Sequence, residues 1–378
     1  VKISNKQKIK IVFILPSLTA GGAERVLITL MNNIDSELFD PAFITLCDKG
    51  ELKKIIDADI PFYSLHKKHV PLALPKLYST LKELKPDIVM TTMAHMNFTL
   101  LLIKFLFPKT HFVVREAITP SFILDKYRFF SFALKAAYRL LYSQATLVIS
   151  PSQTIINEFK DILGMSCENH LLLYNPVDLD RIREGEDENY EISEDRKNKV
   201  HFVAAGRLHI QKGFDQLIEA LPKMKQPYDW QLTILGEGSE RQSLEALIKE
   251  KGLEDKIHLA GLKERPWPDY AKADCFVMPS RWEGLPNVVL ESLACGTPVI
   301  ATRQSGGIEE IQKLSPPGSI TIANNMSEFI KAMEKIHPIA SEKFRLSLLP
   351  ASFKKENIIN DFEDALCGAV KIKEVKER

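Results

Sequence analysis

The 378-residue sequence predicts an α/β protein built from two doubly wound, parallel-sheet domains, and three observations predict it. Apolar runs of strand length alternate with helical patterns on both sides of residues 183–199. That segment, REGEDENYEISEDRKNK, is highly charged and poor in apolar side chains, as an interdomain connector is. Residues 274–303 read as strand, polar loop, helix and strand, the unit of a parallel sheet whose ligand lies at the strands' carboxyl ends. The domains are expected at 1–182 and 200–352.

The first strand, 9–15 (IKIVFIL), enters the loop PSLTAGGAER at 16–25. A helix follows with Val26, Leu27 and Leu30 on one side. Gly21 and Gly22 let the backbone approach a ligand closely, although a tight βα turn alone explains such a pair. No G-x-G-x-x-G is present, which argues against a nicotinamide or flavin enzyme. Further strands are expected at 41–47, 61–64, 87–91, 111–114 and 145–150, with helices at 52–58, 75–84 and up to 163. His95 follows the 87–91 strand, and Arg115 and Glu116 follow 111–114, so both strand ends are expected to open on the interdomain cleft. A lone His is more often structural than catalytic, and His95 and Arg115 are acceptor-side candidates only.

Residues 128–142 form a strongly apolar helical pattern with Phe130, Ala133, Leu134, Ala137, Tyr138 and Leu141 in one stripe. Arg128, Lys135 and Arg139 make a basic edge. A buried helix with one solvated edge is the plain reading. A helix lying on an anionic bilayer is favoured, because the apolar run 100–109 is close by and charge is unevenly distributed. Residues 65–145 hold twelve Lys/Arg against four acids, a surplus of eight, while the whole chain carries only +1.

The second domain opens with a strand at 200–205, followed by GRLHIQKG at 206–213. Arg207 and Lys212, on a loop after a buried strand, can supply cations to a diphosphate, and a solvated basic loop is the equal alternative. Strands at 231–235 and 257–260 end in Gly236-Glu237-Gly238 and Gly261-Leu262. The strand at 275–278 leads into the loop 281–286 and a helix from Asn287, whose apolar face is Val289, Leu290 and Leu293. Glu283 and Glu291 flank the helix start with seven residues between them. Backbone N–H groups at the start of this helix lack helical acceptors and suit a diphosphate. Glu291, about one turn in, is within range of a ribose hydroxyl. Helices at 325–336 and 353–366 complete the chain.

The run EGLPNVVLE at 283–291 is similar to the E-x7-E motif of family-4 retaining glycosyltransferases, which have the GT-B fold. PSLTAGGAER, GRLHIQKG, LLLYNPVDLDRI (171–182) and SGGIEE (305–310) extend the resemblance over most of the chain. The resemblance implies two Rossmann-like domains facing a cleft, with a C-terminal helix (353–378) returning to the first. It implies that Glu283 faces the donor sugar, Glu291 binds the ribose, and Gly284, Leu285, Pro286, Asn287 and Val288 hold the diphosphate. Gly21 and Gly22 approach the donor, and Gly206, Gly236, Gly238 and Leu262 lie around the nucleotide. By the same resemblance, Arg207 and Lys212 are expected to neutralise the departing nucleoside diphosphate. Relatives carry a His near the position of Ala117; here the run is Val114-Arg115-Glu116-Ala117, so no such His carries over and Glu116 is the candidate in its place.

The resemblance implies front-face transfer with retention, which needs stabilisation of the leaving diphosphate above all. Paired-carboxylate glycoside hydrolysis is rejected, because Glu283 and Glu291 sit on either side of a phosphate site rather than one glycosidic bond. No metal site is expected: Asp178-x-Asp180 stands at a helix start, where capping explains it, and Asp57-x-Asp59 has less context. No cofactor is expected beyond the nucleotide-sugar substrate, a UDP-sugar by preference. Five scattered cysteines, the absence of a signal-peptide pattern and of a membrane-length apolar run predict a cytoplasmic protein peripheral to the inner membrane face. The expected activity extends a lipid-linked saccharide. A soluble transferase with a non-lipid acceptor, a GT-B epimerase or a sugar-nucleotide binder are the alternatives. No nucleic-acid partner is expected, and oligomeric state is not legible.

Overall fold

The computed structural model describes residues 8–19, 21–67, 69–184, 198–339 and 345–376, so the expected connector at 183–199 falls almost entirely outside the described residues. The chain divides into two compact units, Val1–Pro176 with Glu356–Arg378, and Val177–Lys355.

The first unit holds β1 (Ile9–Leu15), β2 (Phe39–Thr45), β3 (Phe62–Ser64), β4 (Ile88–Thr92), β5 (His111–Arg115), β6 (Leu147–Ser150) and β7 (His170–Leu172). They form one sheet in the order β3-β2-β1-β4-β5-β6-β7, with every pair parallel. Strand direction and apolar period explain the two cores. Ile11, Phe13 and Leu15 face a layer containing the helix Gly22–Asn33, while Val12 and Ile14 face the helices Val70–Leu84 and Ala94–Ile103. The C-terminal helix Lys355–Lys376 joins the first of these layers through Ile358, Ile359, Phe362 and Leu366. Chain order reverses between β1 and β4, so the loops after those strands flank a crevice at the sheet's carboxyl edge.

The second unit repeats the plan with β8 (Lys199–Ala205), β9 (Asp229–Leu235), β10 (Ile257–Gly261), β11 (Cys275–Met278), β12 (Val299–Thr302) and β13 (Ile320–Ala323). Their order is β10-β9-β8-β11-β12-β13, again all parallel, and the reversal falls between β8 and β11.

Several expected elements differ in the structure. The helix expected at 52–58 is a single 3-10 turn, Glu51–Ile55, because only Leu52 of it is buried. The helix expected at 75–84 starts earlier, at Val70, and runs through Pro75. The expected single helix at 128–142 is a 3-10 turn (Arg128–Phe130), an α-helix (Ser131–Ala137) and a π-helical turn (Tyr138–Tyr142) in succession. The boundary between units falls at Pro176/Val177, six residues before the expected one, because Val177 pairs with Lys354 and exchanges hydrogen bonds with Phe353 and Lys355.

Candidate active site

In the second unit, the loops after β8 and β11 are brought side by side by the strand order, and they meet through side chains 71 residues apart. Lys212 Nζ donates to Glu283 Oε1 at 2.6 Å, and both side chains are largely shielded, at 16% and 10% exposed. Ser280 Oγ donates to the same oxygen at 2.9 Å, and Gln211 Nε2 reaches Glu283 Oε2 at 3.4 Å. The loops are also stitched by backbone. Arg281 N donates to the Gln211 carbonyl at 2.8 Å, and Gln211 Nε2 donates to the Trp282 carbonyl at 3.0 Å.

Arg281 fastens this arrangement from outside. Its guanidinium grips both Asp215 carboxylate oxygens at 2.6 and 2.7 Å and donates to the Ile210 carbonyl at 2.7 Å. Against the cost of burial, the guanidinium holds the Asp215 carboxyl below its ordinary range. Gly213, at φ +66°, is required here: a Cβ would lie 2.1 Å from the Pro279 carbonyl oxygen. Gly306, at φ +63°, presses equally closely on the Glu283 carbonyl, and Gly307 N donates to the Gly284 carbonyl at 2.8 Å.

The helix expected to present its N-terminus is Asn287–Ala294, and its N-cap residue, Pro286, offers no side-chain cap. Leu285 and Pro286 are buried, while Asn287, Val288 and Glu291 are half-buried, with Glu291 one turn into the helix as expected. Arg207 is exposed on the loop after β8. Gly206 N donates to the Leu235 carbonyl, Gly236 N donates to the Gly261 carbonyl, and Leu262 is exposed. Gly238 packs on the Leu208 backbone. The structure therefore brings Lys212 and Glu283 into contact and gathers Gly284–Val288 beside them. No sequence motif marks Gln211, Ser280, Arg281 or Asp215 as part of this arrangement. An Arg two residues before Glu283 was a weak signal, but its partner is 66 residues away and becomes visible only when β8 and β11 are neighbours.

In the first unit, Gly21 caps and Gly22 begins the helix after β1, and Arg25 N donates to the Gly21 carbonyl at 3.1 Å. His95 is the exposed second residue of the helix Ala94–Ile103, entered through Met93 at φ +74°. Arg115, expected on the acceptor side, is instead buried: its guanidinium bonds Asn175 Oδ1 and Thr92 Oγ1 and ties strand ends together. Glu116 is only 1% exposed. The Tyr142 hydroxyl and Asn97 Nδ2 (3.2 Å) donate to its carboxyl, and burial pushes its pKa up to about 7 against the pull of these bonds and of Arg115. This is a different setting from the solvent-facing one of a side chain that reaches a donor sugar.

A cavity of about 510 Å³ opens above this cluster, with Glu116 and His95 in its wall. The π-helical turn after it aims Tyr138 and Tyr142 inward, where they pack with Phe98 and Phe159. The apolar face named from the sequence is corrected here. Leu134 and Leu141 pack on the core, whereas Phe129, Phe132 and Leu140 stand 101%, 87% and 67% exposed beside Phe130. Leu102, in the helix Ala94–Ile103, is exposed as well, as are Phe105 and Leu106 on the following turn, which Lys104 ties to the Gln144 carbonyl. Of the basic edge, Arg128 is exposed, Lys135 half-buried, and Arg139 donates to the Leu163 carbonyl at 2.5 Å. Among the described residues no helix is long and apolar enough to cross a membrane. Asp178 caps the helix Leu179–Arg183 by accepting from Arg181 N at 3.1 Å, which accounts for the Asp-x-Asp pair.

Comparison with known proteins agrees with this fold. The family model described as "Glycosyltransferase Family 4" matches residues 20–181, and "Glycosyl transferases group 1" matches residues 186–345. The N-acetylgalactosamine-N,N'-diacetylbacillosaminyl-diphospho-undecaprenol 4-alpha-N-acetylgalactosaminyltransferase of Campylobacter jejuni subsp. jejuni is 32% identical over 305 residues, 78% of this chain and 81% of that protein. Among solved structures, Anabaena Alr3699/HepE in complex with UDP-glucose superposes with a TM-score of 0.74 at 21% identity, over 95% of this chain and all of that one. The apo lipopolysaccharide outer core galactosyltransferase WaaB superposes with a TM-score of 0.69 at 20% identity, over 95% and 99%. With two parallel-sheet Rossmann-like domains, these motifs and this relative, the chain belongs to the family-4 glycosyltransferases of the GT-B fold.

Proposed function

We propose that this glycosyltransferase moves a sugar from a UDP-sugar, with retention and without a metal ion, to a lipid-linked saccharide at the cytoplasmic membrane face. The observation that carries the donor half is the shielded Lys212–Glu283 pair beside the uncapped start of Asn287–Ala294. A fixed ammonium and a helix N-terminus stabilise charge developing on a departing diphosphate, the task a metal performs elsewhere. Arg207, on the same loop as Lys212, adds a second cation, and Glu291 takes the ribose. Glu283, held by Lys212, Ser280 and Gln211, orients the donor sugar's hydroxyls. Glu116 acts indirectly, by fixing the end of β5 beside the acceptor's position.

The acceptor half is supported by the Campylobacter relative, whose name places its acceptor on diphospho-undecaprenol. Exposed Phe129, Phe132 and Leu140, set among Lys126, Arg128 and Lys135, have the composition of a surface that dips into an anionic bilayer. Each basic side chain near such a surface contributes roughly 1 kcal/mol. The triple substitution Phe129→Ser, Phe132→Ser, Leu140→Ser is therefore expected to lose pelleting with vesicles of phosphatidylglycerol while keeping UDP affinity. Pelleting equal to that of the parent chain in low salt contradicts the membrane-surface reading.

A further inference from the structure

The cavity of about 510 Å³ in the first unit falls in the size range of small-ligand sites, and its lining is unlike that of a sugar site. Met93, Phe98, Ala117, Ile118, Ile123 and Leu134 give it apolar walls. A hexose placed there would bury several hydroxyls without partners, at about 1–3 kcal/mol each. The polar groups at hand are few. Glu116 is already engaged by Tyr142 and Asn97, and His95 and Lys126 are exposed.

The cavity is continuous with the exposed aromatic patch, because Tyr127 and Phe130 belong to both: each lines the cavity and each is about half exposed or more. Lys126, at the same edge, lies over the Tyr127 ring and places a positive charge at the mouth. An apolar chamber opening beside an apolar surface, with a cation at its entrance, complements a ligand that is itself apolar with an anionic group at one end. A polyprenyl diphosphate has that chemistry.

We infer that this cavity receives the first isoprene units of the lipid acceptor, drawn out of the bilayer past Tyr127 and Phe130, with Lys126 against the diphosphate. The inference rests on the lipid-linked acceptor proposed above and deepens it. The site recognises the lipid itself, so the aromatic patch has two tasks: it docks the chain on the membrane, and it forms the doorway of the cavity. Burial raises the Glu116 pKa to about 7, so its neutral form predominates, and the chamber wall is free of a bare charge, only below neutral pH.

The test uses the full chain without vesicles and farnesyl diphosphate below its micellar concentration, measured by titration calorimetry against inorganic diphosphate. Farnesyl diphosphate is expected to bind at least tenfold more tightly than inorganic diphosphate. Ile123→Trp and, independently, Ala94→Phe fill the chamber and are expected to weaken farnesyl diphosphate at least tenfold, with UDP affinity within twofold of the parent. Lys126→Glu is expected to weaken farnesyl diphosphate and leave farnesol unchanged. Equal affinity for farnesyl and inorganic diphosphate, or filled chambers that bind as the parent does, overturns the inference. Where a filling variant loses UDP binding or its cooperative melt, a photoreactive farnesyl diphosphate analogue on the parent chain decides. Crosslinks within residues 93–134 support the site, and crosslinks elsewhere overturn it. Vesicle pelleting and sugar transfer remain separate readouts, so a chain that performs both and ignores farnesyl diphosphate contradicts this inference alone.

Discussion

In the donor site proposed above, Lys212 is the cation set to meet the diphosphate, its ammonium held by contact with the loop after β11. Removing a preorganised charge-stabilising donor costs about 100-fold or more in turnover. Lys212→Ala is expected to reduce kcat by roughly that factor and KM for the donor much less, with an unchanged circular dichroism spectrum. A variant that turns over at the parental rate contradicts the assignment.

Glu116 makes a prediction of a different kind. Its carboxyl titrates at about 7 in the folded chain against an ordinary 4.5, chiefly because it is buried. A raised carboxyl pKa means that the folded state holds the proton more tightly than the unfolded one. The group's contribution to stability is thus fully present below pH 4.5 and is lost as pH rises through 7, amounting to about 3 kcal/mol at most. Glu116→Gln removes that titration and keeps the shape. Its Tm relative to the parent is expected to rise between pH 5 and pH 8; parallel curves across that interval exclude the buried titration.

At the scale of elements, the sequence revealed most where a strand is buried on both faces. The runs 9–15, 87–91, 111–114 and 275–278 could be read directly, because parallel strands under two helical layers need unbroken apolar stretches. The helix around Asn287 was equally legible from its apolar face and from Gly296 beyond its end. What failed was helix type and facing. An apolar stripe at a 3.6-residue period says which residues share a side, and residues 128–142 change period twice, from 3-10 to α to π. The π turn carries Tyr138 and Tyr142 inward and leaves Leu140 outside, so the stripe drawn on an ideal helix joined buried Tyr138 to exposed Phe130 and Ala133. Arg115 differs from expectation for another reason, its burial. The residue closing a strand points in or out according to its register, and here it points into the layer that holds Asn175.

For the molecule as a whole, the two sheets share one strand order, with β7 added to the first, and each places motif-bearing loops at the reversal of that order. That is why short motifs far apart in sequence carried so much of the site: GRLHIQKG and EGLPNVVLE follow β8 and β11, which are neighbours in the sheet. Contacts such as Arg281–Asp215 had no comparable signature, since any of the chain's many charged residues could have been the partner. The central claim, metal-free transfer from a UDP-sugar to a lipid-linked saccharide, is tested most directly by one assay. The purified chain is incubated with a panel of radiolabelled UDP-sugars, polyprenyl-diphosphate-linked saccharides and excess EDTA, and label is counted in the organic phase. Label entering the lipid fraction with matching release of UDP, at the same rate with and without EDTA, is the expected result. Transfer that requires added magnesium, or that proceeds equally well to the free saccharide in the aqueous phase, contradicts it.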